Sequence, residues 1–142
     1  QESRHGEEAG ILGERQRARA QSLLEVGNQP AVPFGVPADR IAVVETPVDL
    51  SEARQRARRR NHPIVLVRRN GRIIGFLWYA DLCGPNPKLD WNPVVRARIE
   101  DRHLGVLLKL YDQGPEVAVL QGERGEVKCV VTRRQLVQPM IK

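Results

Sequence analysis

Aromatic side chains are scarce in this chain: two Trp, two Tyr and two Phe among 142 residues. A core built from it is therefore aliphatic, and a base-stacking platform for single-stranded nucleic acid has too few rings to draw on. Histidine is scarcer still, and His5, His62 and His103 lie far apart. No Ser/His/Asp order, Cys/His pairing or HExxH spacing can be assembled, so an enzyme reading finds no support. A Gly-rich phosphate loop is missing, and a zinc site would need more thiols or imidazoles at usable spacing. The two cysteines, Cys83 and Cys129, read as buried free thiols of a reducing compartment, and nothing favours a disulfide. No apolar run approaches the length of a membrane span. The polar, charged first residues carry no signal-peptide pattern.

What the chain does carry is charge. Lys and Arg number 23 against 17 Asp and Glu, for a net charge of +6. Such a balance favours phosphates, nucleic acid or an anionic membrane surface, and it equally serves as a plain solubilising surface. The 142 residues suffice for one compact domain or two small ones packed together.

The stretch His62–Cys83 organises the chain. Ile64–Val67 is a short, mostly β-branched run. Asn70-Gly71 follows, and this pair is the strongest two-residue hairpin signal because both residues tolerate positive φ. Ile73–Trp78 is a second, nearly continuous apolar run that suits a strand buried on both faces. Asp81-Leu82 begins a short helical turn.

The unit occurs twice. An ungapped offset of 54 residues places Gly71 on Gly125, Val65 on Val119, Leu66 on Leu120 and Leu82 on Leu136. Leu50, Ala53 and Ala57 then fall on Leu104, Leu107 and Tyr111. Trp78 falls on Thr132, and Asp81 on Gln135. An internal repeat of this kind decides the architecture.

Taken in order, Gln1–Gly10 is polar without periodicity, and Glu14–Val26 reads as a helix stopped by Gly27-Asn28. Asn28–Pro37, with three prolines and a glycine, is an extended connector. Arg40–Val44 is a strand. Asp49 caps the helix Leu50–Arg60, and Glu52 completes a capping box while also pairing with Arg56. That helix has a narrow stripe of Leu50, Ala53 and Ala57, and arginines cover the rest. The boundaries are 1–35 for the tail, helix and connector, 36–83 for the first repeat, 84–92 for a proline-rich linker with Trp91 as an anchor, and 93–142 for the second. Val94–Ala97 repeats the first strand. Leu104, Leu107, Leu108 and Tyr111 form an amphipathic stripe. Val117–Leu120 and Val127–Val131 make the second hairpin, and Thr132 is placed to cap the last helix.

A duplicated β-α-β-β-α unit of this size, with His62-Pro63-Ile64-Val65-Leu66-Val67, Asn70-Gly71 and Gly75-Phe76-Leu77-Trp78-Tyr79-Ala80-Asp81-Leu82, resembles the CBS domain pair, or Bateman module. Gly75 and Asp81 match the family's Gly-to-Asp pattern. In the second copy Thr132 matches, while Cys129 stands where glycine is usual and Gln135 where an acid is usual. The segments Glu7–Leu12, Leu24–Asn28 and Pro37–Ile41 further resemble the lead-in of the hemolysin-like, DUF21-containing CorC/CNNM-type membrane proteins. The resemblance implies an α/β (α+β) fold, with two β-α-β-β-α repeats packed about a pseudo-two-fold axis. It implies a non-catalytic regulatory module on the cytosolic face of a membrane. Its partners would be a second copy, as a homodimer, and an ion-transporting transmembrane domain of the same full-length protein. No cofactor is required, and ATP, ADP or AMP with Mg²⁺ is the implied regulatory ligand.

The residues implied for the clefts are Ile41, His62, Pro63, Ile64, Trp78 and Asp81, with Glu116, Val117, Thr132 and Gln135. Asp81 would accept ribose hydroxyls or else serve as an N-terminal helix charge. Thr132 would bind ribose or phosphate or else cap its helix. The damaged second motif implies unequal clefts, with weak binding at one site at most, and Cys129 is expected to narrow the second slot. Two other functions compete. One is a structural dimerisation module with degenerate pockets. The other is a basic nucleic-acid-binding domain resting on Arg54–Arg60 and Arg68-Arg69, disfavoured by the lack of any reader motif.

Overall fold

The structure, a computed structural model, describes residues 2–141, with side chains described from Gly13 onward. Helix α1 (Glu2–Gly27) starts earlier than the predicted Glu14. The connector then runs through Val32–Phe34 to a two-residue strand, β1 (Val36–Pro37). The first repeat follows as β2 (Ala42–Glu45), α2 (Leu50–Arg60), β3 (Ile64–Arg69), β4 (Arg72–Trp78) and α3 (Tyr79–Leu82). The second is β5 (Val95–Arg98), α4 (His103–Gln113), β6 (Val117–Gln121), β7 (Val127–Thr132) and α5 (Arg133–Val137).

Each repeat forms a small mixed sheet. One has the order β2-β3-β4, the other β1-β7-β6-β5. In both, the first strand runs parallel to the second and the hairpin partner antiparallel. The two sheets pack face to face through Ile64, Leu66 and Phe76 on one side and Val117, Val119 and Val130 on the other. Their outer faces carry α2 and α4–α5, each over its own aliphatic core. The lead-in segments cross over: Val36 pairs with Val130 in the second sheet, and Asn92 bridges Phe76 in the first.

The repeat is real, but its register differs from the ungapped 54. Ala53 and Ala57 are the buried residues of α2, and Val106 and Leu110 stand at their places in α4, an offset of 53. The sheets agree, since Ile64 and Leu66 face the inter-sheet core with Val117 and Val119. An offset of 54 would put Val65 on Val119 and turn the strand's inner face outward, because side chains alternate with period 2. The extra residue lies in the second hairpin. Asn70 and Gly71, at φ 51° and 78°, make a two-residue turn. The second turn is one residue longer: Gly122 N–H donates to the Glu126 carbonyl across Glu123, Arg124 and Gly125, with Gly125 at φ 80°. From there the offset is 54, so Gly125, Thr132 and Leu136 keep their predicted counterparts.

The helix stripes shift as well. Val106, Leu107 and Leu110 form the core face of α4 together with His103, while Leu108 and Tyr111 are more than half exposed. Asp49 caps α2 by accepting from Glu52 N–H at 2.9 Å, but the Glu52 carboxylate turns to Arg56 at 2.6 Å, so the capping box is half made. Cys129 is buried as expected, whereas Cys83 is exposed; both are free thiols.

Candidate functional site

In each repeat the last strand runs directly into a short helix, and one backbone bond ties that junction to the entry of the middle strand. Tyr79 N–H donates to the Pro63 carbonyl, and Arg133 N–H to the Glu116 carbonyl, both at 2.8 Å. The predicted cleft residues cluster around these two junctions, which the sheet packing brings close together.

The first junction leaves an open cleft. Trp78, half-buried, stands edge-on against Phe76 with ring centroids 5.1 Å apart. It lines a cavity of about 210 Å³ with Asn92 and Pro93 of the lead-in and Gln113–Glu116 of the second repeat. Trp78 and Glu116, predicted from opposite repeats, therefore meet. Asp81, in the first turn of α3, is exposed, and its carboxylate has no partner among the described residues.

His62 and Pro63 do not join this cleft. They line a separate hollow of about 400 Å³ with Arg58, Asn61 and Tyr79. Phe76 and Trp78 lie on the inter-sheet face, whereas Leu77 and Tyr79 pack toward α2, so the two hollows lie on opposite faces of the first sheet. His62 Nδ1 accepts from Ile64 N–H at 3.2 Å, and burial pushes the imidazole below its ordinary pKa of 6.5. Ile64 and Val117 are completely buried between the sheets, whereas Ile41, almost completely buried in the same core, also lines a hollow of about 430 Å³ with Asp39, Arg56, Arg59 and Arg60. The strand positions of Ile64 and Val117 point inward, and a ligand could reach either only by separating the sheets.

The second junction is closed by its own side chains. Thr132 Oγ1 accepts from Gln135 N–H at 3.1 Å, and Gln135 Oε1 accepts from Thr132 N–H at 2.9 Å. This reciprocal capping box commits both predicted ligand residues to the start of α5. Arg133, the next residue, turns onto the end of α4, at the place Tyr79 holds in the first repeat. Its guanidinium donates to the carbonyls of Leu110, Gly114 and Pro115 at 3.2–3.3 Å and lies over the Tyr111 ring at 4.9 Å. It also pairs with Glu116 at 3.5 Å, while its Nε is buried without a partner.

Cys129 does not narrow a slot. Its thiol tucks under the connector, 3.6 Å from the Val32 carbonyl, and burial pushes its pKa up. Gly35 makes room for it, since a Cβ there would come within 2.6 Å of the sulfur. In the first repeat the sizes are reversed. A Cβ on Gly75 would overlap Trp91 and the Asn92 carbonyl, so glycine on the strand lets the tryptophan lie down as an anchor.

The arginines of α2 are mostly committed within the molecule. Arg54 Nε donates to the Leu82 carbonyl at 2.5 Å, and Arg58 Nε to the Tyr79 hydroxyl at 3.0 Å. On the other flank Arg56 and Arg60 donate to the carbonyls of Val43 and Asp39, at 2.8 and 2.7 Å. They stitch a helix with only two buried alanines to its neighbours. Arg133 is the site residue that the sequence left unnamed. Its one signal was the exchange of Arg and Tyr between paired positions: Arg58 and Tyr79 correspond to Tyr111 and Arg133.

Among the described residues, no three His, Cys, Asp or Glu side chains gather where they could hold a metal ion. No helix among them is long and apolar enough to cross a membrane.

The sequence matches no family model and no curated protein. Solved structures do match. The CBS domain of the bacterial CNNM/CorC family Mg²⁺ transporter superposes with a TM-score of 0.72 at 19% identity, covering 96% of this chain and 90% of that one. The same transporter's CBS domain in complex with ATP gives 0.69 at 18%, covering 89% and 97%. A CBS-domain pair with bound AMP from Klebsiella pneumoniae gives 0.61 at 12%, covering 80% and 99%. At these identities the likeness is one of fold, and it extends over nearly the whole chain. Two β-α-β-β-α units packed sheet to sheet, with exchanged lead-ins, make this chain a tandem CBS fold.

Proposed function

We propose that the chain is a non-catalytic regulatory module that binds an adenosine nucleotide weakly, at the first cleft only, and passes the signal to a membrane transport domain of the same protein. The observation that carries this reading is the inequality of the two junctions. One leaves the Asp81 carboxylate unpartnered among the described residues, in the short helix that follows Trp78 and its cavity, whereas the other has its Thr132 and Gln135 side chains committed to each other's backbone. Asp81 accepts ribose hydroxyls, and Trp78 offers a face to the base. Examples of the fold solved with ATP and with AMP support the ligand class, and the transporter origin of one supports the attached domain. The commitment of the α2 arginines weighs against nucleic acid.

The module assembles as a homodimer through its second helix face. Leu108 and Tyr111 on α4 and Leu24 on α1 are 54–59% exposed, whereas the α2 alanines are buried against their own sheet and offer nothing. Light scattering reads twice the 16.0 kDa chain mass at high concentration, and a monomer there contradicts the assembly. Calorimetric titration of ATP, ADP and AMP, with and without Mg²⁺, tests the binding. One weak site that is lost in Asp81→Ala supports the reading. Unchanged binding in Asp81→Ala removes that residue, and no binding leaves the structural dimerisation module.

A further inference from the structure

The first cleft has an electrostatic character that its residues fix. Its apolar walls are Phe76, Trp78, Pro93 and Pro115, and its only charged lining group is the Glu116 carboxylate, more than half exposed. No cation lines it. Arg133 reaches that wall through Glu116, at 3.5 Å, but its terminal nitrogens are committed to three carbonyls and to Glu116, and its Nε is buried. Arg58 and His62 face the hollow on the other side of the sheet. Helix α3, with four residues, is too short to offer an anion cradle at its start. Asp81, three residues beyond Trp78, is exposed and does not line the cleft. A phosphate ester held here would find only the neutral amides of Asn92 and Gln113 as side-chain donors and would meet the like charge of Glu116, which costs binding unless something compensates. The volume agrees: about 210 Å³ falls below the roughly 300–1,000 Å³ of pockets that enclose a drug-sized ligand.

We infer that this cleft selects the phosphate-free ligand: an uncharged nucleoside, with its base against Trp78 and its sugar hydroxyls toward the Glu116 carboxylate, in preference to the mono- or triphosphate. The inference rests on the adenosine-binding reading above and sharpens it. It also accounts for the weakness assigned there to nucleotides. Carboxylates that accept hydroxyl hydrogen bonds favour the sugar for the same reason that they repel its phosphates.

Calorimetry with adenosine, AMP and Mg·ATP on the intact chain decides it. Adenosine binds about tenfold or more tighter than AMP, and Mg·ATP binds no tighter than AMP. Glu116→Gln narrows the adenosine-to-AMP gap by raising AMP affinity, while circular dichroism and melting stay those of the parent. Trp78→Ala weakens all three ligands together. Trp78→Phe keeps a ring in place and the adenosine preference with it, should the alanine variant fold poorly. AMP or Mg·ATP binding as tightly as adenosine overturns the inference and leaves the nucleotide-sensing function intact. An unchanged adenosine-to-AMP ratio in Glu116→Gln also overturns it. Absence of binding by all three overturns the inference and the proposed function together.

Discussion

The two repeats share a backbone plan but fill it with exchanged side chains. Where the first places Arg58 on its long helix and Tyr79 on its short one, the second places Tyr111 and Arg133. Where the first has glycine on the strand and tryptophan on the lead-in, Gly75 under Trp91, the second has Cys129 under Gly35. The first packs its long helix through Ala53 and Ala57 and ties it down with arginines; the second packs through Val106 and Leu110. The Arg–Tyr exchange keeps its contact with the two partners swapped, and the lead-in exchange moves the larger side chain from the lead-in to the strand. The functional consequence falls at the junctions. In the first repeat, Tyr79 and Arg58 meet on the outer face and leave the Trp78 cleft open. In the second, Tyr111 and Arg133 meet likewise at the end of α4, and Thr132 and Gln135 are committed to each other's backbone.

The helix cores offer the strongest way to break this comparison. Leu110→Ala removes a fully buried side chain and costs about 2–5 kcal/mol. Ala57→Leu, the reverse change at the matching position, overpacks a close helix–sheet contact and costs about 1–3 kcal/mol. Urea denaturation measures both. A Leu110→Ala loss under about 1 kcal/mol would show that the two helices are not equivalent at an offset of 53.

Next in size is the lead-in exchange. Gly75→Ala forces a Cβ into Trp91 and the Asn92 carbonyl, and a loss of about 1–3 kcal/mol follows. Combining it with Trp91→Ala recovers part of that loss, so the pair is non-additive in a double-mutant cycle. Simple additivity would dissociate Gly75 from the tryptophan.

The cap on the closed junction is smaller. Thr132→Ala removes one side of the capping box and costs about 1 kcal/mol, read as a shift in the urea midpoint without a change in slope. An unaffected midpoint would argue that Thr132 is not needed there.

The smallest effect is a pH dependence. Burial holds the His62 imidazole below its ordinary 6.5, so in acid the unfolded chain takes up the proton more readily than the folded one. The contribution is fully present above about pH 6.5 and is lost as pH falls toward the folded-state pKa. His62→Asn flattens the stability profile in that window, whereas a slope that persists in the variant places its origin elsewhere.

The fold was legible because the repeat writes the same hydrophobic plan twice, with a turn signal at each hairpin. The register error shows where legibility stops. Ile64–Val67 and Val117–Leu120 are buried on both faces, so a one-residue slip leaves their apolar pattern almost unchanged. Only the three-dimensional pairing shows which side chains face the other sheet. Trp78 and Glu116, read from motif position, line one cavity, whereas Asp81 lies outside its lining. Ile64 and Val117 were not separable from them, because strand direction decides whether such a residue lines a cleft or fills the core. The arginines of α2 misled for a related reason: a charge run looks solvated until the carbonyls within its reach are known. Arg133 escaped notice because nothing in Arg133-Arg134 says which guanidinium will turn inward.

The unequal junctions are the claim on which the rest depends, and ligand stoichiometry tests it most directly. Calorimetric titration of adenosine into the parent chain, Trp78→Ala and Thr132→Ala reads it in one experiment. The account predicts one site per chain, lost in Trp78→Ala and retained in Thr132→Ala. Two equivalent sites, or a single site lost with Thr132 and kept without Trp78, would contradict it.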